Sequence, residues 1–118
     1  QDRLLKAPFR CFEDYDFAKS IVLKFKVEPV ARSEKFEVSL NGRQLAPEDQ
    51  TILYASNGRD VRIHPVILGP YFEYEIPLKA EQLAKGDNEL EVKPTRLIQD
   101  TTGTVRLVEL ELRVQYEV

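Results

Sequence analysis

Alternation of apolar and polar residues with a period of two is the strongest pattern in this sequence. It runs through residues 21–28, 36–40, 72–78 and 108–118. Successive side chains of a strand point to opposite faces, so each segment offers one face to a core and one to water. One-sided burial is typical of antiparallel sheets. The pattern therefore predicts an all-β fold, a two-sheet antiparallel β-sandwich of the jelly-roll kind.

Two sequence signals punctuate these strands. Asn41-Gly42 follows an alternating run, and Asn-Gly is the preferred pair for a type I′ hairpin because both residues need φ > 0. Residues 80–85 are helix formers that end at Gly86, so we expect one or two helical turns closed by that glycine. In the core, the alternation places the aromatic rings of Phe25, Phe36, Phe72 and Tyr74 beside aliphatic residues.

The remaining segments are less regular. Their composition predicts, in chain order, an edge strand over 9–17, a long loop over 45–58, a short strand over 61–63, a short strand over 90–92 closed by Pro94, and a loop over 95–104.

Length and charge limit the classes of protein. The chain has 118 residues, which suits a single sandwich domain over 1–118. Because it lacks Met and begins at Gln1, we expect a module excised from, or C-terminal in, a larger protein. A formal net charge of −3 argues against nucleic acid as a partner. No apolar run is long enough for a membrane span, and the single cysteine, Cys11, excludes an internal disulfide.

Three segments, 36–45, 71–78 and 85–92, appear in an order that resembles the galactose-binding-like β-sandwich. That fold occurs in the non-catalytic sugar-binding domains of bacterial glycoside hydrolases of the β-galactosidase and β-glucuronidase group. The most specific element is the Gly-x-Asn-x-Leu-x-Val strand, here Gly86, Asn88, Leu90 and Val92. The resemblance covers roughly residues 20–118, and the chain departs from it in having no Trp. It implies a galactose-binding-like fold, a non-catalytic role and a secreted or periplasmic location.

Catalytic residue patterns are weak. The only histidine, His64, precedes a proline and has no nucleophile motif beside it. Carboxylates at i and i+2, such as Glu73 and Glu75, share the wet face of a strand rather than opposing each other across a cleft. We therefore expect no enzymatic activity. Asn88 is interpreted as an architectural residue whose amide bonds nearby backbone groups.

No cofactor is predicted, although a structural calcium ion remains open. Asp14 and Asp16, or Asp87, could supply the oxygen ligands that calcium prefers. Sandwiches of the resembled class often hold such an ion, but no acidic calcium loop is present in the sequence.

Sugar binding needs an exposed aromatic ring beside planar polar side chains. The candidate ligand-binding residues are Tyr54, Asn57 and Arg59 in one loop, and Tyr71 at the start of a strand. Neither tyrosine is expected at a core position. The alternative is that both tyrosines pack under the ends of the sandwich.

These observations predict a non-catalytic accessory module of a carbohydrate-active enzyme. Its partner would be a carbohydrate, or a neighbouring catalytic domain that the module buttresses. The alternative is a structural or protein-interaction β-sandwich that binds no small ligand. Neither nucleic acid nor a membrane is expected as a partner.

Overall fold

The computed structural model describes residues 4–12, 15–28, 30, 33–55, 70–96 and 105–116. Their regular secondary structure consists of β-strands and three single turns of 3-10 helix, at Tyr15–Phe17, Pro47–Asp49 and Ala80–Gln82. The strands are β1 (Leu5–Cys11), β2 (Ala18–Glu28), β3 (Lys35–Leu40), β4 (Arg43–Gln44), β5 (Thr51–Ala55), β6 (Tyr71–Leu78), β7 (Gly86–Arg96) and β8 (Arg106–Tyr116).

The strands form two four-stranded sheets. Sheet A has the order β1-β7-β3-β4, and sheet B has the order β5-β6-β2-β8. Neighbouring strands pair antiparallel in both sheets. This arrangement confirms the predicted all-β, two-sheet antiparallel sandwich.

The core lies between the sheets and is built from the apolar members of the alternating segments. Phe25 of β2 stacks on Tyr74 of β6, with 4.8 Å between the ring centroids. Burial raises the pKa of the Tyr74 phenol from 10.0 to about 12. Other fully buried side chains in this cluster are Leu23, Val27, Val38, Ile76, Leu90 and Val92. The predicted core positions of β2 and β6 are therefore confirmed.

The β3–β4 hairpin has the predicted turn. Asn41 has φ 53° and Gly42 has φ 83°, so both central residues occupy the left-handed region. Leu40 pairs directly with Arg43 across the turn. The Asn-Gly pair thus fixes the register at this end of sheet A.

The unbroken alternation of 108–118 predicts that Val108 faces the core, and this prediction is wrong. Glu109 has φ 56°, and the register of β8 against β2 shifts beside it. This β-bulge inserts one extra residue, so Val108 lies opposite Lys26 on the outer face. Leu107, on the other parity, packs against the core instead.

Two strands begin or end away from the predicted positions. β1 covers Leu5–Cys11, whereas the prediction was an edge strand over 9–17. β7 continues through Pro94 to Arg96 instead of stopping at the proline. Pro94 is tolerated because β1 pairs with β7 only as far as Val92, so one side of β7 needs no N–H donor there.

One further local prediction is wrong: the expected loop over 45–58 contains strand β5, which pairs with β6. The expected one or two helical turns within 80–85 are confirmed as a single turn, Ala80–Gln82, although this turn ends before Gly86. It stops because the Asn88 side chain binds both the N–H and the C=O of Ala84, which a longer helix would need for itself. The predicted strand over 61–63 lies outside the described residues.

Candidate functional site

A groove of about 670 Å³ runs along one side of the sandwich, between β1 and β8. These are edge strands of opposite sheets, so the groove opens where the two sheets are not joined. We call it the aromatic groove; it is lined by Phe9, Arg10, Cys11, Phe12, Tyr15, Leu23, Leu110, Leu112, Val114 and Tyr116. Its floor is apolar, because the inward-facing residues of β8 are only half covered by β1.

Phe12, which lines this groove, is unusually open to solvent, with 69% of its surface exposed. Phe17 is not part of the lining and is 81% exposed; it directly precedes Ala18, which pairs with Tyr116 of the groove. Because large exposed apolar side chains mark interaction sites, this side of the domain is the strongest candidate.

A planar cation accompanies the most accessible ring of the groove. The Arg10 guanidinium lies 5.3 Å from the centroid of the Phe12 ring. Arg10 Nε also lies 3.0 Å from Asp87 Oδ1, in an exposed ion pair. The aromatic groove thus combines apolar ring faces with a hydrogen-bond donor.

A second cavity, of about 710 Å³, lies at the end of the sandwich that carries the β3–β4 hairpin. Its apolar floor includes Leu45, Ile76 and Leu83. Polar side chains of both charges surround this floor, among them Arg43 and Asp49. It holds no aromatic side chain in its lining, so it lacks a ring platform for a sugar.

Asn41 and Asn88 join the two turns at this end. Asn41 Nδ2 donates to Asn88 Oδ1 at 2.8 Å and to Gln82 O at 3.0 Å. The Glu89 N–H donates to Asn41 Oδ1 at 2.9 Å. The buried Asn88 amide also donates to the carbonyls of Ala84 and Gly86. We call this pair the asparagine clamp; Gly86, at φ 100°, supplies the turn conformation that it needs.

The outer face of sheet B carries carboxylates that are held in ion pairs. Lys24 Nζ lies 3.4 Å from Glu73 and 3.5 Å from Glu75. Lys26 Nζ lies 3.1 Å from Glu109. Burial lowers the pKa of the Lys26 ammonium, but the hydrogen bond and charge of Glu109 outweigh this and leave that pKa raised. The i and i+2 carboxylates are therefore surface charges paired with lysines.

Arg113 and Glu111 form a further ion pair on the same outer face of sheet B. Arg113 Nε donates to Glu111 Oε2 at 2.7 Å, and this hydrogen bond lowers the pKa of the Glu111 carboxyl. The same bond raises the pKa of the Arg113 guanidinium. Both side chains are exposed, so the pair contributes little to stability.

The two tyrosines of the sequence-predicted site lie on opposite faces of sheet B. Tyr54 is directly opposite Phe72 in the sheet, and its ring packs edge-to-face on that core residue at 5.6 Å. The expectation that Tyr54 avoids the core is therefore wrong. Tyr71 lies on the outer face, where Lys26 Nζ is 4.7 Å from its ring centroid. The other two predicted residues, Asn57 and Arg59, lie outside the described residues.

The aromatic groove was not selected as a site from the sequence. The available signal was the concentration of Phe9, Phe12, Tyr15 and Phe17 among charges. What the sequence could not supply is the opposite wall, since β8 is separated from β1 by nearly the whole chain.

Within the described ranges, no three His, Cys, Asp or Glu side chains come together as a metal site. Asp87 is paired with Arg10, and Asp14 lies outside those ranges.

In the same part of the chain, no helix is long and apolar enough to span a bilayer. Cys11 is a buried free thiol, and His64 is outside the described residues.

Comparison with protein-family models, with curated proteins and with solved structures gave no match in any of the three searches. The resemblance to the galactose-binding-like sandwich thus rests on the residues that carry it in this sequence.

Proposed function

We propose that this domain is a non-catalytic accessory module of a carbohydrate-active enzyme and that it contacts glycan through the aromatic groove. The observation that carries the proposal is the exposed Phe12 ring with the Arg10 guanidinium over it. An aromatic ring covers the apolar face of a pyranose, while a planar cation donates hydrogen bonds to its hydroxyls. The groove supplies both groups, with the guanidinium over one face of the Phe12 ring at 5.3 Å from its centroid.

The rest of the groove fits an open glycan site. Tyr15 and Tyr116 provide further rings with polar tips, and Leu112 contributes to an apolar floor. A shallow groove on a sandwich side buries little ligand area, and part of the gain offsets the ordering of side chains. We therefore expect weak binding, with preference for a chain of sugars over a single one.

Two features support the accessory role. The asparagine clamp joins the Asn41-Gly42 hairpin to the Gly86-x-Asn88 turn, which are two of the elements that resemble the galactose-binding-like sandwich. The clamp gives these residues an architectural use and needs no ligand. In addition, Glu73 and Glu75 are engaged by Lys24 rather than opposed across a cleft.

A glycan array on the 118-residue chain, followed by calorimetry on any hit, tests the proposal. Phe12→Ala should abolish binding and leave the melting temperature within a few degrees, because the ring is mostly in solvent. Tyr71→Ala is the matched control, since it removes an aromatic ring from the outer face of sheet B. If Tyr71→Ala abolishes binding and Phe12→Ala does not, the contact lies at the sequence-predicted loop site and the groove assignment is wrong.

The second candidate is the buttressing of a neighbouring catalytic domain. It is favoured by the two exposed phenylalanines, Phe12 and Phe17, because phenylalanine has no polar tip for a sugar hydroxyl. If no glycan binds the wild type, the glycan-binding proposal is wrong and docking of a neighbouring domain on Phe12 becomes the leading candidate.

A further inference from the structure

The edge strands of a sheet present unpaired backbone groups, and most edges in the described residues are protected against pairing with another chain. β1 carries two basic residues, Lys6 and Arg10, with Pro8 between them. β8 carries the bulge at Glu109 and charged residues along its length. β4 has only two residues. Each of these features is a known protection of an edge.

β5 lacks all of these protections. Its sequence, Thr-Ile-Leu-Tyr-Ala, has no charge, no proline and no glycine, and it is the only described strand without a charged residue. Within the described part of the chain it pairs with β6 alone. Ile52 is 49% exposed and Leu53 is 59% exposed, although they point to opposite faces of the sheet. An exposed, uncharged apolar edge is a template for strand addition.

We propose that β5 pairs antiparallel with β5 of a second copy of this chain, which joins the two B sheets about a two-fold axis. In an antiparallel sheet, every second residue of an edge strand hydrogen-bonds to the neighbouring strand. The residues between them therefore point their backbone N–H and C=O groups towards the open edge. A two-fold axis at Leu53 sets that residue opposite its own copy. It also sets Ile52 opposite Tyr54 of the other copy, and β-branched residues and aromatic rings form favourable cross-strand pairs.

Charge is the reason for assigning a second copy of the chain to this edge. The whole chain carries a net charge of −3, so two copies meet with the least electrostatic cost where the surfaces in contact carry no charge. The five residues of β5 bring no like charges together when paired with themselves. The same operation on β1, centred at Pro8, would set Lys6 opposite Arg10 of the other copy. β5 is thus a self-complementary edge, as a two-fold interface requires.

The geometry leaves the aromatic groove open in such a dimer. β5 and β8 are the opposite edges of sheet B, and the groove lies at β8. Each dimer would therefore present two grooves, and a repeating ligand could engage both with an avidity gain. The dimer itself depends only on β5 and does not rest on the proposed glycan binding.

Sedimentation velocity over a range of concentrations tests the proposal. A five-residue strand pair is a small interface, so the dimer should form reversibly, with its fraction rising with concentration. Leu53→Lys should remove the dimer at every concentration, because it sets two ammonium groups opposite each other. Leu4→Lys is the matched control; it places the same charge at another exposed leucine, next to β1, and should dimerise like the wild type.

A mixture of two variants tests the two-fold register itself. Leu53→Lys and Leu53→Glu should each be monomeric alone, whereas the equimolar mixture should form a heterodimer through opposite charges at the same position. Circular dichroism of each variant confirms that it is folded. A monomeric wild type would overturn the proposal. Equal dimerisation of Leu53→Lys and wild type, polydisperse aggregates, or a mixture without heterodimer would overturn it as well.

Discussion

Removal of the Asn88 side chain is the sharpest stability test that the fold offers. Asn88 is 3% exposed and makes four hydrogen bonds: it accepts from Asn41 Nδ2 and the Ala84 N–H and donates to the Ala84 and Gly86 carbonyls. Asn88→Ala leaves these backbone groups unsatisfied in a part-buried turn. At roughly 1 kcal/mol per net hydrogen bond, with the 3.2 Å bond to Gly86 weak, we expect a loss of about 3 kcal/mol.

A double-mutant cycle isolates the contact between the two asparagines. Asn41→Gly is the suitable partner change, because glycine keeps the positive φ of the turn while it removes the side chain. The 2.8 Å bond should give a coupling energy of about 1 kcal/mol. Urea denaturation of the four proteins supplies the free energies of unfolding. Asp87→Ala is the control, since its ion pair with Arg10 is exposed and the change should cost less than about 0.5 kcal/mol.

Two results would refute the clamp. One is a cost for Asn88→Ala no greater than that of Asp87→Ala. The other is strict additivity of the Asn41→Gly and Asn88→Ala effects. Either would mean that the turns at this end are held by backbone pairing alone.

Two further stability effects follow from buried groups. Glu28 is buried, and one of its oxygens accepts from Arg106 Nη2 at 3.0 Å, so Arg106→Met should cost about 3 kcal/mol by leaving a buried carboxylate uncompensated. In urea melts, Glu28→Gln in that background should recover part of the loss; no recovery would contradict the ion-pair explanation. Because folding raises the pKa of Tyr74, this residue contributes to the free energy of unfolding. The contribution is present below pH 10.0, the ordinary pKa of tyrosine, and is lost as the pH rises towards about 12. Unfolding measured across that window should show a fall of about 2 kcal/mol in wild type that is absent in Tyr74→Phe, and an equal fall in both would exclude Tyr74 as its source.

The alternation of the sequence predicts sheet B well where the strands are regular. β2 and β6 pair over seven consecutive positions without a shift, so period two alone assigns their faces. In β8 the same rule fails at Val108, because a bulge is a backbone event at Glu109 that leaves the apolar alternation unbroken. β5 was missed for a related reason: its residues are apolar on both faces, as an open edge allows, so no alternation marks it.

The candidate site was less accessible to sequence reasoning than the fold. Tyr54 and Tyr71 each look suitable alone, but only the register of β5 against β6 shows that they lie on opposite faces. The aromatic groove depends on the approach of β1 to β8, two strands that belong to different sheets and share no pairing. Local patterns identify its rings, such as Phe12, but not the wall that they face.

The central claim, that the aromatic groove contacts glycan, is tested most directly by amide chemical-shift mapping. A labelled sample of the chain would be titrated with the glycan selected on the array, and shifts followed for each assigned amide. The claim predicts that the largest changes fall in Arg10–Phe12, Tyr15–Phe17 and Leu112–Tyr116, with β5 and Tyr71 unaffected. Changes confined to the sequence-predicted site, Tyr54, Asn57, Arg59 and Tyr71, with Phe12 and Tyr116 unmoved, would contradict it.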